Sequence, residues 1–193
     1  MNKWSILLPT LAVMLLLWIE QVLEVTYLYK TVGKVLIFLA VAFYFLNITK
    51  LEFFRLKNTK NKNNVRAIGF GILVMISILI TFYILQNFIN INSILSDLKS
   101  RVGVTSTVFP FVALYILFGN SFLEEFFFRG LLVDLYKESK LKWFLPSFFF
   151  SIYHIAIFLP WFEWPILLTA VGGLFMGGML VIFPSRICNY LPN

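Results

Sequence analysis

Long apolar runs separated by short polar clusters organise this chain. The first covers residues 4 to about 23 and carries one acid, Glu20, near its end. The second covers about 32 to 48, and its uncharged part, 35–47, is short, so Lys34 is expected to snorkel toward an interface. The third, 67–89, is long and uncharged. The fourth begins near Pro110, a residue that suits the first turn of a helix, and continues to about Tyr136. The fifth and sixth cover 143–159 and 166–183. A helix needs about 20 apolar residues to cross a bilayer. Backbone groups in lipid are satisfied only within helices or closed barrels, and barrel strands alternate apolar and polar residues. No such alternation is present. The pattern predicts an all-α, polytopic membrane bundle of about six transmembrane helices, with 1–193 forming a single integral membrane domain.

Composition agrees, and charge adds an orientation. Of the 193 residues, 60% are hydrophobic and only 13% charged, which no ordinary soluble domain matches. The net charge of +7 would suit a nucleic-acid binder, but the basic residues cluster between apolar runs, where helix ends meet anionic lipid. Membrane lipids, and no nucleic acid, are the expected partners. Lys50, Arg55, Lys57, Lys60, Lys62 and Arg66 crowd one connection, and Lys137, Lys140 and Lys142 crowd another two crossings later. Placing both in the cytoplasm puts Lys3 and Arg186 there too and leaves Lys30, Lys34, Lys99 and Arg101 outside. This predicts a multi-pass protein of the cell membrane with both termini cytoplasmic. Trp143, Trp161 and Trp164 fall where interfacial aromatics belong. The N-terminal run resembles a signal peptide, but Glu20 to Glu24 follows it in place of a small-x-small site, so it is read as a retained first helix. Cys188 is the single cysteine, so no disulfide forms within the chain.

The stretch N-S-F-L-E-E-F-F-F-R-G, residues 120–130, breaks the apolar pattern with Glu124, Glu125 and Arg129. A charged residue at a helix centre costs about 2.5–3.5 kcal/mol, or roughly 8–10 kcal/mol for three. The fourteen Leu, Ile, Phe and Val residues between 111 and 133 return roughly 4–8 kcal/mol. The helix is marginal alone, so its charges are expected to face other helices or a wet cavity. Glu125 and Arg129 are four apart and can pair. Glu124, turned about 100° away, has no evident partner within its helix and is a candidate general base. An ion-pair cluster between helices is the bland alternative, although intramembrane charges favour function by default.

The only histidine, His154, lies in the fifth run. Glu124 is 13 residues from Lys137 and His154 is 12 from Lys142, so at 1.5 Å per residue each stands about 18–20 Å above the same loop. Antiparallel neighbours joined by a short loop pack together, so the two can face each other. A lone histidine on an apolar face is more often a packed, hydrogen-bonded residue than a ligand, but the matched depth brings the two readings level here.

Glu124-Glu125-Phe-Phe-Phe-Arg129 resembles the Glu-Glu-x-x-x-Arg motif of the CAAX protease and bacteriocin-processing (Abi) intramembrane proteases. Phe150-Ser-Ile-Tyr-His154 resembles their Phe-x-x-x-His motif. The resemblance covers roughly residues 108–183. It implies an endopeptidase acting on peptide bonds of membrane-associated peptides or proteins through water activated by Glu124 and His154. Glu125 and Arg129 would support the site and Phe150 would pack on the histidine, with the polar Asn120 and Ser151 expected to line the cavity. Zinc, where the family's metalloprotease label applies, would take Glu124 and His154, although catalytic zinc usually needs three protein ligands. The family's third motif, His-x-x-x-Asn or His-x-x-x-Asp, has no counterpart after the glycine-rich segment 172–180. The resemblance therefore implies either an active protease or one inactivated by C-terminal truncation. Two readings compete. One is a non-catalytic membrane protein serving bacteriocin self-immunity or partner binding. The other is a proton-coupled carrier using Glu124 and His154 as a relay, which the lack of inverted halves disfavours.

Overall fold

The computed structural model describes residues 3–23, 25–49, 61–100 and 103–190. Among them the regular structure is entirely helical. Glu24, Lys50, Arg55, Lys57, Lys60 and Arg101, used above for orientation and for the N-terminal reading, lie outside the described residues, as do the side chains of Lys62, Arg66, Arg186 and Cys188. The helices are α1 (Trp4–Gln21), α2 (Tyr27–Thr49), α3 (Asn61–Leu85), α4 (Ile91–Ser100), α5 (Phe109–Leu135), α6 (Phe144–Phe158) and α7 (Trp164–Tyr190). Five of these, α1, α2, α3, α5 and α7, are long and apolar enough to cross a membrane. The protein is a multi-pass, all-α membrane bundle.

Two expectations change in detail. The fifth run forms a helix of 15 residues, about 22 Å long, shorter than the roughly 30 Å hydrocarbon core. Its neighbours compensate by length: α5 has 27 residues and α7 has 27. The connection after α3 holds a short helix, α4, that the apolar pattern gave no reason to expect. Its start is fixed by Asn90, whose side-chain oxygen accepts the Ser93 N–H at 3.0 Å, an N-cap. Beyond its end Gly103 takes φ 73° and the Val104 N–H reaches the Leu98 carbonyl at 2.8 Å. That positive φ suits glycine at a helix C-terminus.

Helices α1, α2, α5 and α6 share one core. Phe38 of α2 stacks on Phe127 of α5 at 4.0 Å between ring centres and meets Phe128 edge-on at 5.5 Å. Phe128 in turn lies against Tyr153 of α6 at 5.8 Å. Lipid tails are as apolar as these rings, so packing and buried hydrogen bonds must hold the helices together. Two such bonds fasten α1. The Tyr136 hydroxyl donates to the Ser5 carbonyl at 2.6 Å, and the Gln21 amide donates to the Ala156 carbonyl. At the other edge, the described side chains of α3 are almost all exposed. For a spanning helix this is the ordinary lipid-facing state.

The glycine-rich segment of α7 supports close approach at one position only. A Cβ at Gly178 would lie 3.0 Å from Ser147 Oγ and 3.1 Å from Ser147 Cβ on α6, whereas Gly172, Gly173 and Gly177 face open space. Of these four glycines, only Gly178 meets a neighbouring helix. Gly178→Leu should therefore destabilise the bundle by about 1–3 kcal/mol through overpacking. Gly172→Leu should leave thermal unfolding in detergent within about 0.5 kcal/mol of the native protein.

Candidate functional site

Helix α5 carries the acids, and its geometry is not uniform. It contains two π-helical turns, Tyr115–Asn120 and Glu125–Leu131, with an α-helical turn, Ser121–Glu124, between them. A π turn closes i→i+5 bonds and inserts an extra residue, and such insertions recur at functional sites. The faces of α5 therefore do not follow the 3.6-residue count applied to the sequence. Glu124 and Glu125, adjacent in the chain, stand at the junction and part company. Glu124 is buried at 8% exposure, while the Glu125 side chain is 54% exposed.

Glu125 is paired with Arg129, one turn along. The guanidinium also lies over the Phe150 ring, 5.2 Å from its centre, a favourable cation–π contact. Phe150 thereby links two parts of the site, because its ring is 4.5 Å from that of His154. Its carbonyl also lies 2.8 Å from His154 Nδ1. A carbonyl only accepts, so Nδ1 donates the proton. In the neutral imidazole, Nε2 is then left as an acceptor.

That free nitrogen faces Glu124. His154 Nε2 is 3.8 Å from Glu124 Oε2, and both side chains are nearly buried, at 13% and 10% exposure. Helices α5 and α6 thus bring together the acid and the histidine that the chain separates by thirty positions. The separation exceeds a direct hydrogen bond.

The expectation that Glu124 has no partner within its helix is corrected. Asn120 Nδ2 donates to Glu124 Oε1 at 2.9 Å. The same oxygen is 3.5 Å from Lys34 Nζ of α2, and Lys34 Nζ donates to Asn120 Oδ1. Lys34, Asn120 and Glu124 therefore form a closed polar triangle, with one carboxylate oxygen held and the other aimed at His154. Lys34 does not snorkel. It turns inward beneath the Tyr153 ring, 5.1 Å from its centre. A lysine beside a short apolar run has the spacing of an interface anchor, which hides this role in the sequence. The usable signal was an intramembrane base on a run preceding an unmatched intramembrane acid.

Ser151 is not brought into this cluster. It is buried, and its hydroxyl donates to the Phe148 carbonyl of its own helix at 3.0 Å. Elsewhere, Lys30 is 3.5 Å from Glu20 and donates to the Glu20 carbonyl at 3.0 Å. This second inward-facing pair couples α1 to α2.

The residues do not fit a catalytic zinc centre. Among the described residues no three histidine, cysteine, aspartate or glutamate side chains converge on one point. The carboxylate nearest His154 already shares an oxygen with the Lys34 ammonium, and that ammonium would repel a dication. What the arrangement offers is a carboxylate oxygen and an imidazole acceptor, both nearly dry and 3.8 Å apart. Such a pair can orient water and take a proton from it.

No curated protein and no solved structure matches the chain. Residues 106–187 match a family model described as type II CAAX prenyl endopeptidase Rce1-like, whereas α1 to α4 lie outside the match. The matched span holds α5, α6 and nearly all of α7, and so includes Glu124, Glu125, Arg129, Phe150 and His154. Over residues 106–187 the chain is similar to the Rce1-like family of type II CAAX prenyl endopeptidases.

Proposed function

We propose that this protein is an intramembrane endopeptidase that hydrolyses peptide bonds of membrane-associated peptides with water activated between Glu124 and His154. One observation carries the reading: Glu124 Oε2 and His154 Nε2 face each other at 3.8 Å from two different helices. A water about 2.8 Å from each would give one proton to the carboxylate and direct the other at Nε2. Its lone pairs would then point away from both, toward a scissile carbonyl. As the water oxygen bonds to the carbonyl carbon, its proton passes to Glu124 Oε2. When the tetrahedral intermediate collapses, the C–N bond breaks and the same proton goes to the departing amine. His154 keeps the water in register, because the Phe150 carbonyl fixes its tautomer. Glu125 and Arg129 hold Phe150, and through it the imidazole, in place.

The membrane setting suits this chemistry. Few waters reach a site at this depth, so the activated one meets little competition, and electrostatic interactions act at low dielectric. The matched family model names prenyl CAAX endopeptidases, so a lipid-modified C-terminal peptide is the first substrate class to test. No metal takes part in the steps above. The excess of basic residues in the loops supports cytoplasmic termini and a cytoplasmic α5–α6 connection, with α4 on the opposite side.

In proteoliposomes supplied with a fluorogenic peptide carrying a prenylated cysteine near its C-terminus, and with its unprenylated counterpart, the native protein should cleave at least one of the two. Glu124→Gln and His154→Ala should each lower kcat by about 10²–10⁴-fold, the usual contribution of acid–base groups. Undiminished cleavage by both variants would remove the proposal. For orientation, in a Cys188→Ser background Lys140→Cys should react with an impermeant thiol reagent applied from the cytoplasmic side and Ser96→Cys from the other side. The reverse pattern would invert the topology.

A further inference from the structure

We infer that Lys34, on a helix outside the matched family region, is the positioning residue that holds Glu124 as an oriented carboxylate with Oε2 turned to His154. The inference builds on the hydrolytic reading above but stands on separate geometry. Lys34 Nζ is 3.5 Å from Oε1 of Glu124, not from Oε2. Asn120 braces the same oxygen at 2.9 Å while accepting a hydrogen bond from Lys34. The two oxygens of one carboxylate are thus divided between two tasks. Oε1 is tied to a cation and an amide, and Oε2 is left for the imidazole at 3.8 Å.

Other cations do not supply this. Arg129 is engaged by Glu125, and Lys30 by Glu20. The His154 ring presents its acceptor nitrogen to Glu124. Of these, Lys34 alone brings a positive charge onto Oε1, and its ammonium is itself fixed by Asn120 and the Tyr153 ring. The side chain is only 16% exposed, so solvent cannot easily replace it. An ionised carboxylate without a partner at such a position is strongly disfavoured against the neutral acid. A neutral carboxylic acid cannot accept a proton from water. The α2 segment is thereby part of the reactive centre and more than scaffold.

The test uses the full chain in lipid nanodiscs and two variants. Lys34→Gln keeps a hydrogen-bonding group beside Asn120 without the charge, and Lys34→Arg keeps the charge. The infrared difference between each protein and the same protein carrying Glu124→Gln isolates the Glu124 band. The native chain and Lys34→Arg should show an ionised carboxylate, and Lys34→Gln the C=O stretch of a protonated acid. In the peptide assay Lys34→Gln should lose about 10²-fold in kcat with little change in KM, the scale of misplacing a reacting group. Lys34→Arg should recover most of that loss. An unchanged carboxylate band in Lys34→Gln overturns the inference, even if activity falls. A band that shifts in a native protein that cleaves nothing supports the role of Lys34 and defeats the hydrolytic reading instead.

Discussion

A carboxylate buried in a membrane bundle needs a positive partner, and here that partner comes from a different helix. The Lys34–Glu124 contact at 3.5 Å reaches from α2 to α5 and constrains much of what surrounds it. It draws α2 against α5 close enough for Phe38 to stack on Phe127. It also sets the side of α5 that faces α6, and so the face on which His154 is met. Removing one member of a buried ion pair typically costs about 3–5 kcal/mol, far more than the pair contributes over a neutral replacement. The register of α2 on α5 is therefore held by the cost of leaving it.

The charges are grouped so that each acid finds a base without crowding the reactive face. Glu125 and Arg129 pair along one helix and lean on Phe150. Glu20 and Lys30 pair between α1 and α2. Glu124 is shared between Lys34, Asn120 and His154. With His154 neutral, these groups carry as many negative charges as positive ones. A near-neutral cluster lowers the cost of keeping ionised groups in lipid, which a sum over α5 alone makes prohibitive.

The two π turns in α5 bear on the same point. An uninterrupted α-helix would put Glu124 and Glu125 about 100° apart, a fixed offset. The wider turns on either side of Ser121–Glu124 change how the flanking residues are phased. Asn120 still meets Glu124 and Arg129 still meets Glu125, while Phe127, Phe128 and Leu131 are fully buried in the core. An interior π turn gives up regular hydrogen bonding, and the surrounding aromatic packing is what holds it.

Much was legible in the chain because lipid imposes simple rules. Runs of about 20 apolar residues have few alternatives to a helix, so the spans and the all-helical class followed from pattern. The Glu125–Arg129 pair followed from an i,i+4 spacing, and the facing of Glu124 and His154 from equal chain distances to one loop. These are one-dimensional regularities, and local geometry converts them directly into space. The role of Lys34 was not legible. A lysine near the start of a short run snorkels or turns inward according to what the next helix presents, and its acceptor lies 90 residues away. The same holds for the π turns, for α4, for the inert hydroxyl of Ser151 and for the single glycine of 172–178 that touches a neighbour. Each depends on which side of a helix another helix occupies. The sequence by itself determined which segments enter the membrane and which charged groups they carry. Only the tertiary packing decided which charge meets which, because pairing energy in a dry interior depends on distances of a few ångströms that no spacing along one chain specifies.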